Sequence, residues 1–184
     1  MQLETIFTGR LVRLAAPRPD DHETFARWSE NDQYLRTMDN DPARPISAEA
    51  HAAWEAPFLQ SPTSFIFRIR TLADDALIGV VALGDVQWMH QCAMLGIAIG
   101  DPACWGKGYG SDAIDLMLRY AFLELNLYRV WLTTIAYNER ARRAFEKAGF
   151  RPEGAWREMI HRDGKRFDVL HYGLLRHEWE ALRG

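Results

Sequence analysis

The chain has 184 residues, 48% hydrophobic and 26% charged, with a formal net charge of −3. That length and balance describe one globular domain, residues 1–184, able to bury a core without disulfides or metals. The small negative charge excludes the basic field that nucleic acid or an anionic membrane would need, and no apolar run nears the ~20 residues of a bilayer span.

The opening stretch MQLETIFTGRLVRLAAP has acidic and polar residues where a secretory leader is apolar. Cys92 and Cys104 show neither metal-ligand spacing nor a disulfide framework. Both read as reduced thiols of a cytoplasmic protein, Cys92 as a small core residue. GRLVRLA, Gly9 to Ala15, alternates as a strand does. APRPDD breaks it and leads into a helix from about His22 to Glu30. NDQYLRTMDNDPARP is rich in turn formers and reads as a loop. Ser47 is an N-cap for a second helix over Ala48 to Phe58, ending around Pro57. Strands follow at Ser64 to Arg70 and Ala76 to Val86, a meander joined through ADD. CAMLGIAIG, Cys92 to Gly100, is almost wholly apolar and reads as a strand covered on both faces.

Ser111 to Asn126 is a helix buried on most sides. Tyr128 to Asn138 is a strand, and NERARRAFEKAG is a short helix that Gly149 ends. Two strands then meet in a hairpin at Asp163-Gly164, and RHEWEALRG closes the chain as a helix. The sum is an α/β domain with a mixed sheet, meander-like in its first half.

Between strand and long helix lies DPACWGKGYGSDA, with Gly106, Gly108 and Gly110 at alternate positions and Lys107 between the first two. Free N–H groups and a partial positive charge at a helix N-terminus bind phosphate. Glycine lets backbone amides approach a ligand and permits positive φ. The competing reading is a tight connection that needs glycine for turn geometry alone. Neither familiar phosphate loop fits. A Walker A loop needs Ser or Thr after Gly-Lys, and Lys107 precedes Gly108. A dinucleotide fingerprint needs a last glycine where Ser111 stands, and the next strand ends in Tyr137-Asn138 without an acid for a ribose.

LGIAIGDPACWGKGYGSDAIDLMLRYAF followed by NERARRAFEKAGFRPEG closely resembles the GCN5-related N-acetyltransferase (GNAT) superfamily, and more narrowly its ribosomal-protein N-terminal acetyltransferase branch. The resemblance runs from GRLVRLAAPRPDD to LLRHEW. It implies a single-domain α/β (α+β) fold, a mixed, splayed sheet of about seven strands flanked by helices, with acetyl-CoA wedged where two parallel strands separate. It further implies that Leu95, Ile97, Ala98 and Ile99 pair with the pantetheine arm through their backbone. Gly106, Lys107, Gly108, Tyr109, Gly110 and Ser111 would hold the pyrophosphate. Asn138 would bond the pantetheine and Phe145 would lie beside the thioester. Lys147, and Arg143 unless it is only the partner of Glu139, would reach the outer phosphates. No metal is implied. Single-domain members are often homodimers, though the sequence itself shows no interface.

Met94, Ala141 and Phe145 stand where related enzymes often carry glutamate, serine and a tyrosine acid. The remaining candidates are Asp85, a strand-end carboxylate that can take a proton through water, and Tyr137, an acid or a packing residue. His90 and His171 titrate in the useful range. Trp28, Trp54, Trp88 and Trp105 are candidates for a substrate wall, while Trp131, Trp156 and Trp179 read as core or packing residues. Only a neutral amine attacks a thioester. An α-amine of pKa about 7.8 is about a tenth neutral at pH 7, a lysine-like amine only a few parts in ten thousand. A site without a strong base therefore suits an N-terminal α-amine or another low-pKa amine of a small molecule. Polyamine or antibiotic acetylation, or a non-catalytic acyl-CoA sensor, are the other readings. A polyamine would need clustered carboxylates at the open end of the cleft.

Overall fold

Alternation along the chain builds one seven-stranded sheet in the computed structural model, which describes residues 5–184. The first four residues of the stretch read for a leader lie outside the described residues. The strands are β1 (Val12–Ala15), β2 (Phe65–Thr71), β3 (Leu77–Gln87), β4 (Cys92–Ile99), β5 (Arg129–Ile135), β6 (Arg151–Arg162) and β7 (Lys165–Leu175), in the order β1-β2-β3-β4-β5-β7-β6. β1 to β4 form the expected antiparallel meander, and β6 and β7 form the expected hairpin around Asp163-Gly164. Only β4 and β5 are parallel, and they pair through three residues each before parting: Cys92 with Arg129, Ala93 with Val130, Met94 with Trp131.

The two faces of the meander are covered differently. Phe65, Phe67 and Ile69 of β2, Val81 and Leu83 of β3, and Leu95 and Ile97 of β4 share one face by register. That face packs on α4 (Tyr109–Arg119), whose Ala113, Ile114, Leu116, Met117 and Leu118 are buried with it in the main core. The helix starts two residues before the expected Ser111 and ends in a π-helical turn over Tyr120–Glu124. The opposite face carries Ile66, Arg68, Val80, Ala82, Gly96 and Ala98. Here α1 (Asp21–Ser29) and α3 (Ala48–Gln60) are tied down by charge. Arg68, wholly buried, donates Nη1 and Nη2 to the two oxygens of Glu55 at 2.6 Å each and Nε to Asp21 at 3.2 Å. Arg70 donates to the other oxygen of Asp21.

Four expectations need correcting. The segment read as a loop contains α2 (Asp32–Met38), capped by Asn31, whose side chain accepts from Tyr34 N. Turn formers on both sides hid it. α3 runs through Pro57 to Gln60, because a proline near a helix end forfeits only one hydrogen bond. β4 is not covered on both faces: Ala93 and Leu95 are buried, whereas Met94 and Gly96 are exposed. Cys92, expected in the core, is half-buried; of the three tryptophans read as core or packing, Trp179 is buried, Trp131 is half-buried and Trp156 packs against His171 from the edge strand β6.

Candidate active site

Past Met94 the separation of β4 from β5 opens a cleft of about 480 Å³. One wall is Ile97, Ala98 and Ile99, the other Asn138 and the first turns of α5 (Glu139–Lys147), and one end is closed by the glycine-rich turn. Asp101 starts that turn by accepting from Ala103 N at 2.8 Å. Trp105 fixes it, donating Nε1 to Ile99 O at 2.7 Å while the Arg140 guanidinium stacks on its ring at 3.8 Å. Gly106 and Gly108 then take φ of +74° and +89°, the left-handed region that glycine enters without steric cost. Gly108 is the N-cap of α4. Among the described residues the amides of Gly106 to Ser111 donate to no protein acceptor. Gly106, Gly108, Gly110 and Ser111 line the cleft.

Three cations, Arg140, Arg143 and Lys147, line this cleft, and among the described residues no carboxylate does. With the helix N-terminus they make a positive basin suited to a phosphorylated ligand. Arg143 also pairs with Glu139 at 3.3 Å, both largely exposed. Cys104 lines the wall too. Burial and the neighbouring Asp101 push its thiol up, so it stays protonated. The mouth of α4 is anchored from behind by Asp112, which is buried and accepts from the amides of Arg10, Leu11 and Val12 at 3.2, 2.8 and 3.0 Å. Nothing in the sequence pattern singled it out.

Of the residues implied for cofactor binding, Ile97, Ala98, Ile99, Gly106, Gly108, Gly110, Ser111, Asn138, Phe145 and Lys147 converge on this cleft. Leu95 is buried beneath its floor, and Lys107 and Tyr109 stand outside its lining, Lys107 exposed and Tyr109 packed against the core. Asn138 is already engaged: Oδ1 caps α5 at Ala141 N, 3.2 Å, and Nδ2 donates to Thr37 O, 3.1 Å. One N–H and one lone pair of its amide remain. Phe145 is buried against Phe150 and Tyr172.

The two acid–base candidates are not brought to the cleft. Asp85 sits in a bulge of β3 at φ +50°, exposed, accepting from Gln87 Nε2 at 3.1 Å. The Tyr137 hydroxyl donates to Arg36 O, and its ring meets Phe167 edge-on at 4.9 Å, so it holds α2 in place. His90 lies in an exposed turn, and half-buried His171 meets Trp156 edge-on at 4.3 Å. Trp28 lies under Gly100, where a Cβ would fall 2.0 Å from its ring.

A second chamber, about 440 Å³, adjoins the first and shares Tyr34, Met38, Ile97 and Ala98 with it. Tyr34, buried at the junction, was missed because its helix was read as a loop; Asn31 three residues earlier was the available signal. Burial raises the Tyr34 hydroxyl, which therefore stays protonated and available as a hydrogen-bond donor. His51 and Trp54 line the second chamber. His51 Nδ1 lies 2.9 Å from His22 Nδ1 and its ring stacks on Phe25 at 4.4 Å. Burial pulls its pKa down to about 4, so it is neutral. His22, His51 and Glu55 form a cluster with metal-ligating atoms. Glu55 already holds Arg68 with both oxygens, and two acids against two arginines leave no net negative charge for a cation to neutralise.

Residues 11–151 match the family model of the acetyltransferase (GNAT) domain. The SPbeta prophage-derived uncharacterized N-acetyltransferase YokL of Bacillus subtilis is 31% identical over 180 residues, 98% of each chain. Spermidine N(1)-acetyltransferase of Vibrio cholerae is 32% identical over 113 residues, 60% of this chain and 65% of its own. The crystal structure of spermidine N-acetyltransferase from Vibrio cholerae in complex with CoA and spermine has the same fold, with a TM-score of 0.82 at 24% identity over 92% of this chain and 98% of that one.

Proposed function

The chain belongs to the GNAT acetyltransferase family, and from that premise we propose that it is an acetyl-CoA-dependent enzyme acetylating a primary amine, either an N-terminal α-amine or the amine of a small molecule. The observation that carries this reading is the row of amides from Gly106 to Ser111, unengaged among the described residues, beside a basin whose described lining has three cationic side chains and no acidic one. The donors fit a diphosphate. Those amides and Lys107 would hold it, Arg140, Arg143 and Lys147 the outer phosphates, and the backbone of Ile97 to Ile99 with Asn138 the pantetheine.

Bound there, acetyl-CoA would supply a thioester on which an unprotonated amine forms an amide, the C–S bond breaking and the proton lost by the amine ending on the departing thiol. The chain's part is placement. β4 past Met94 offers backbone N–H groups to the carbonyl oxygen, and the two walls fix the approach. Tyr34, which lines both chambers, would be the hydrogen-bond donor for the departing sulfur. A thiol of pKa about 8.5 leaves without a strong acid, and an α-amine is partly neutral without a strong base.

Polyamine acetylation is the second reading, favoured by the identity to Vibrio cholerae spermidine N(1)-acetyltransferase. The test is release of free CoA from acetyl-CoA across amino-acid amides, short peptides, aminoglycosides and spermidine. Turnover with any of these supports an enzyme. Tight acetyl-CoA binding with no turnover on any amine would make the chain an acyl-CoA sensor instead.

A further inference from the structure

The second chamber owes its existence to small side chains. On the sheet face beneath α1 and α3, Ala82 lies opposite Gly96 and Val80 opposite Ala98, with Ile66 beside Ala82. Nothing lies within 4 Å of where a Gly96 Cβ would project. Side chains of ordinary core size would fill this space; these leave it hollow.

Its lining is apolar and aromatic, with Phe25, Tyr34, Leu35, Met38, Ile46 and Trp54 among the walls. Three carboxylates reach it, and none is set to receive a buried cation. Glu55 spends both oxygens on Arg68. Asp39 and Asp41 are exposed to water, and Arg44 lines the same chamber. His51 adds no charge at neutral pH, since burial keeps it neutral. A second ammonium of a polyamine would therefore meet only the water-screened Asp39 and Asp41 and find no free buried carboxylate within the chamber, which is costly for a charge that must leave water. A volume of about 440 Å³ lies in the range of pockets that enclose small organic groups, about 300–1,000 Å³.

We propose that this chamber seats the acceptor, and that the acceptor is an α-amine whose own side chain is large and apolar or aromatic, with no second cation. This rests on the acetyltransferase reading above. The amine reaches the cleft at the junction of Tyr34, Met38, Ile97 and Ala98, while its side chain lies over Ala82 and Gly96 against Trp54. The chamber thus gives this chain a preference opposite to that in the name of its Vibrio cholerae relative.

The probes are L-phenylalaninamide, glycinamide and spermidine, titrated calorimetrically into the CoA-saturated protein and into the protein alone, with CoA release measured in parallel. Phenylalaninamide is expected to bind at least about tenfold tighter than glycinamide, the discrimination an apolar pocket gives for a missing side chain, and tighter than spermidine. Spermidine binding tighter, or phenylalaninamide no better than glycinamide, overturns the proposal. Ala82→Leu fills the floor and should weaken phenylalaninamide at least about tenfold while acetyl-CoA affinity holds; unchanged phenylalaninamide affinity sinks it. Should Ala82→Leu fail to fold, Trp54→Ala, at a 60% exposed wall residue, reads the same loss. Absent acetyl-CoA binding would overturn the acetyltransferase reading instead. Turnover of spermidine alone would overturn only the acceptor class.

Discussion

Removing the Arg68 guanidinium should be among the most damaging single changes available to this fold. The group is wholly buried and makes three charge-assisted bonds, two of 2.6 Å to Glu55 and one of 3.2 Å to Asp21. At about 1.5–3 kcal/mol each, their gross loss is about 5–9 kcal/mol. Arg68→Met keeps much of the packing of the stem, and Arg70 retains Asp21, which softens the loss. Stranding one buried partner usually costs about 3–5 kcal/mol, so we expect about 4 kcal/mol. For a chain of this size that lowers the melting temperature by about 8–16 °C. Urea unfolding followed by circular dichroism measures it. Arg68→Met combined with Glu55→Leu should cost less than Arg68→Met alone, because Glu55 is then no longer a buried unpaired anion. A single variant within about 1 kcal/mol of wild type, or strict additivity in the double, would refute the claim that charge rather than apolar packing fastens α1 and α3.

Gly108→Ala forces a Cβ onto a residue at φ +89° and places it 3.4 Å from Leu11. We expect about 1–2 kcal/mol of lost stability and acetyl-CoA binding weakened about tenfold by calorimetry; unchanged affinity would place the phosphates elsewhere. Tyr34→Phe should lower kcat about tenfold with little change in KM for acetyl-CoA, whereas Asp85→Asn should leave the pH–rate profile as in wild type. A flattened acidic limb in the latter would restore Asp85 as a base. His51 holds a proton less readily folded, at about 4, than unfolded, near 6.5. The unfolded chain therefore binds more protons between these values, and stability falls as pH drops from about 6.5 to about 4, by about 3 kcal/mol at the bottom. His22, Glu55 and Arg68 are the charged or titratable groups around it. His51→Phe should remove that part of the acid slope in parallel denaturant titrations; an identical slope would show that His51 is not its source.

What could be read from the residues was what depends on near neighbours in the chain. Alternation and turn signals placed β1 to β3, an apolar run placed β4, the Asp163-Gly164 turn placed the β6–β7 hairpin, and three alternate glycines marked the mouth of α4. α2 was lost because Asn31, Asp32, Asn40 and Asp41 look like loop chemistry, although Asn31 is a helix cap. β4 looked fully packed because an apolar side chain gives no sign of whether its face is covered or lines a cavity. Asp21, Glu55 and Arg68 meet across 13 and 47 residues of sequence, and no local rule pairs them. The second chamber draws on α1, α2, α3 and three strands at once, so it exists only after the chain has folded.

The three-residue seam between β4 and β5 has a mechanical meaning. Beyond Met94 the two halves of the sheet lean on each other without rungs, and a slender amide-bearing guest lying in the gap would supply the missing stitches. Such a guest is mortar as well as reagent: at a hundred times its dissociation constant it would add about 2.7 kcal/mol to the wall it completes. Loading the enzyme and hardening it would then be one event, with spent thiol leaving the masonry looser than it found it.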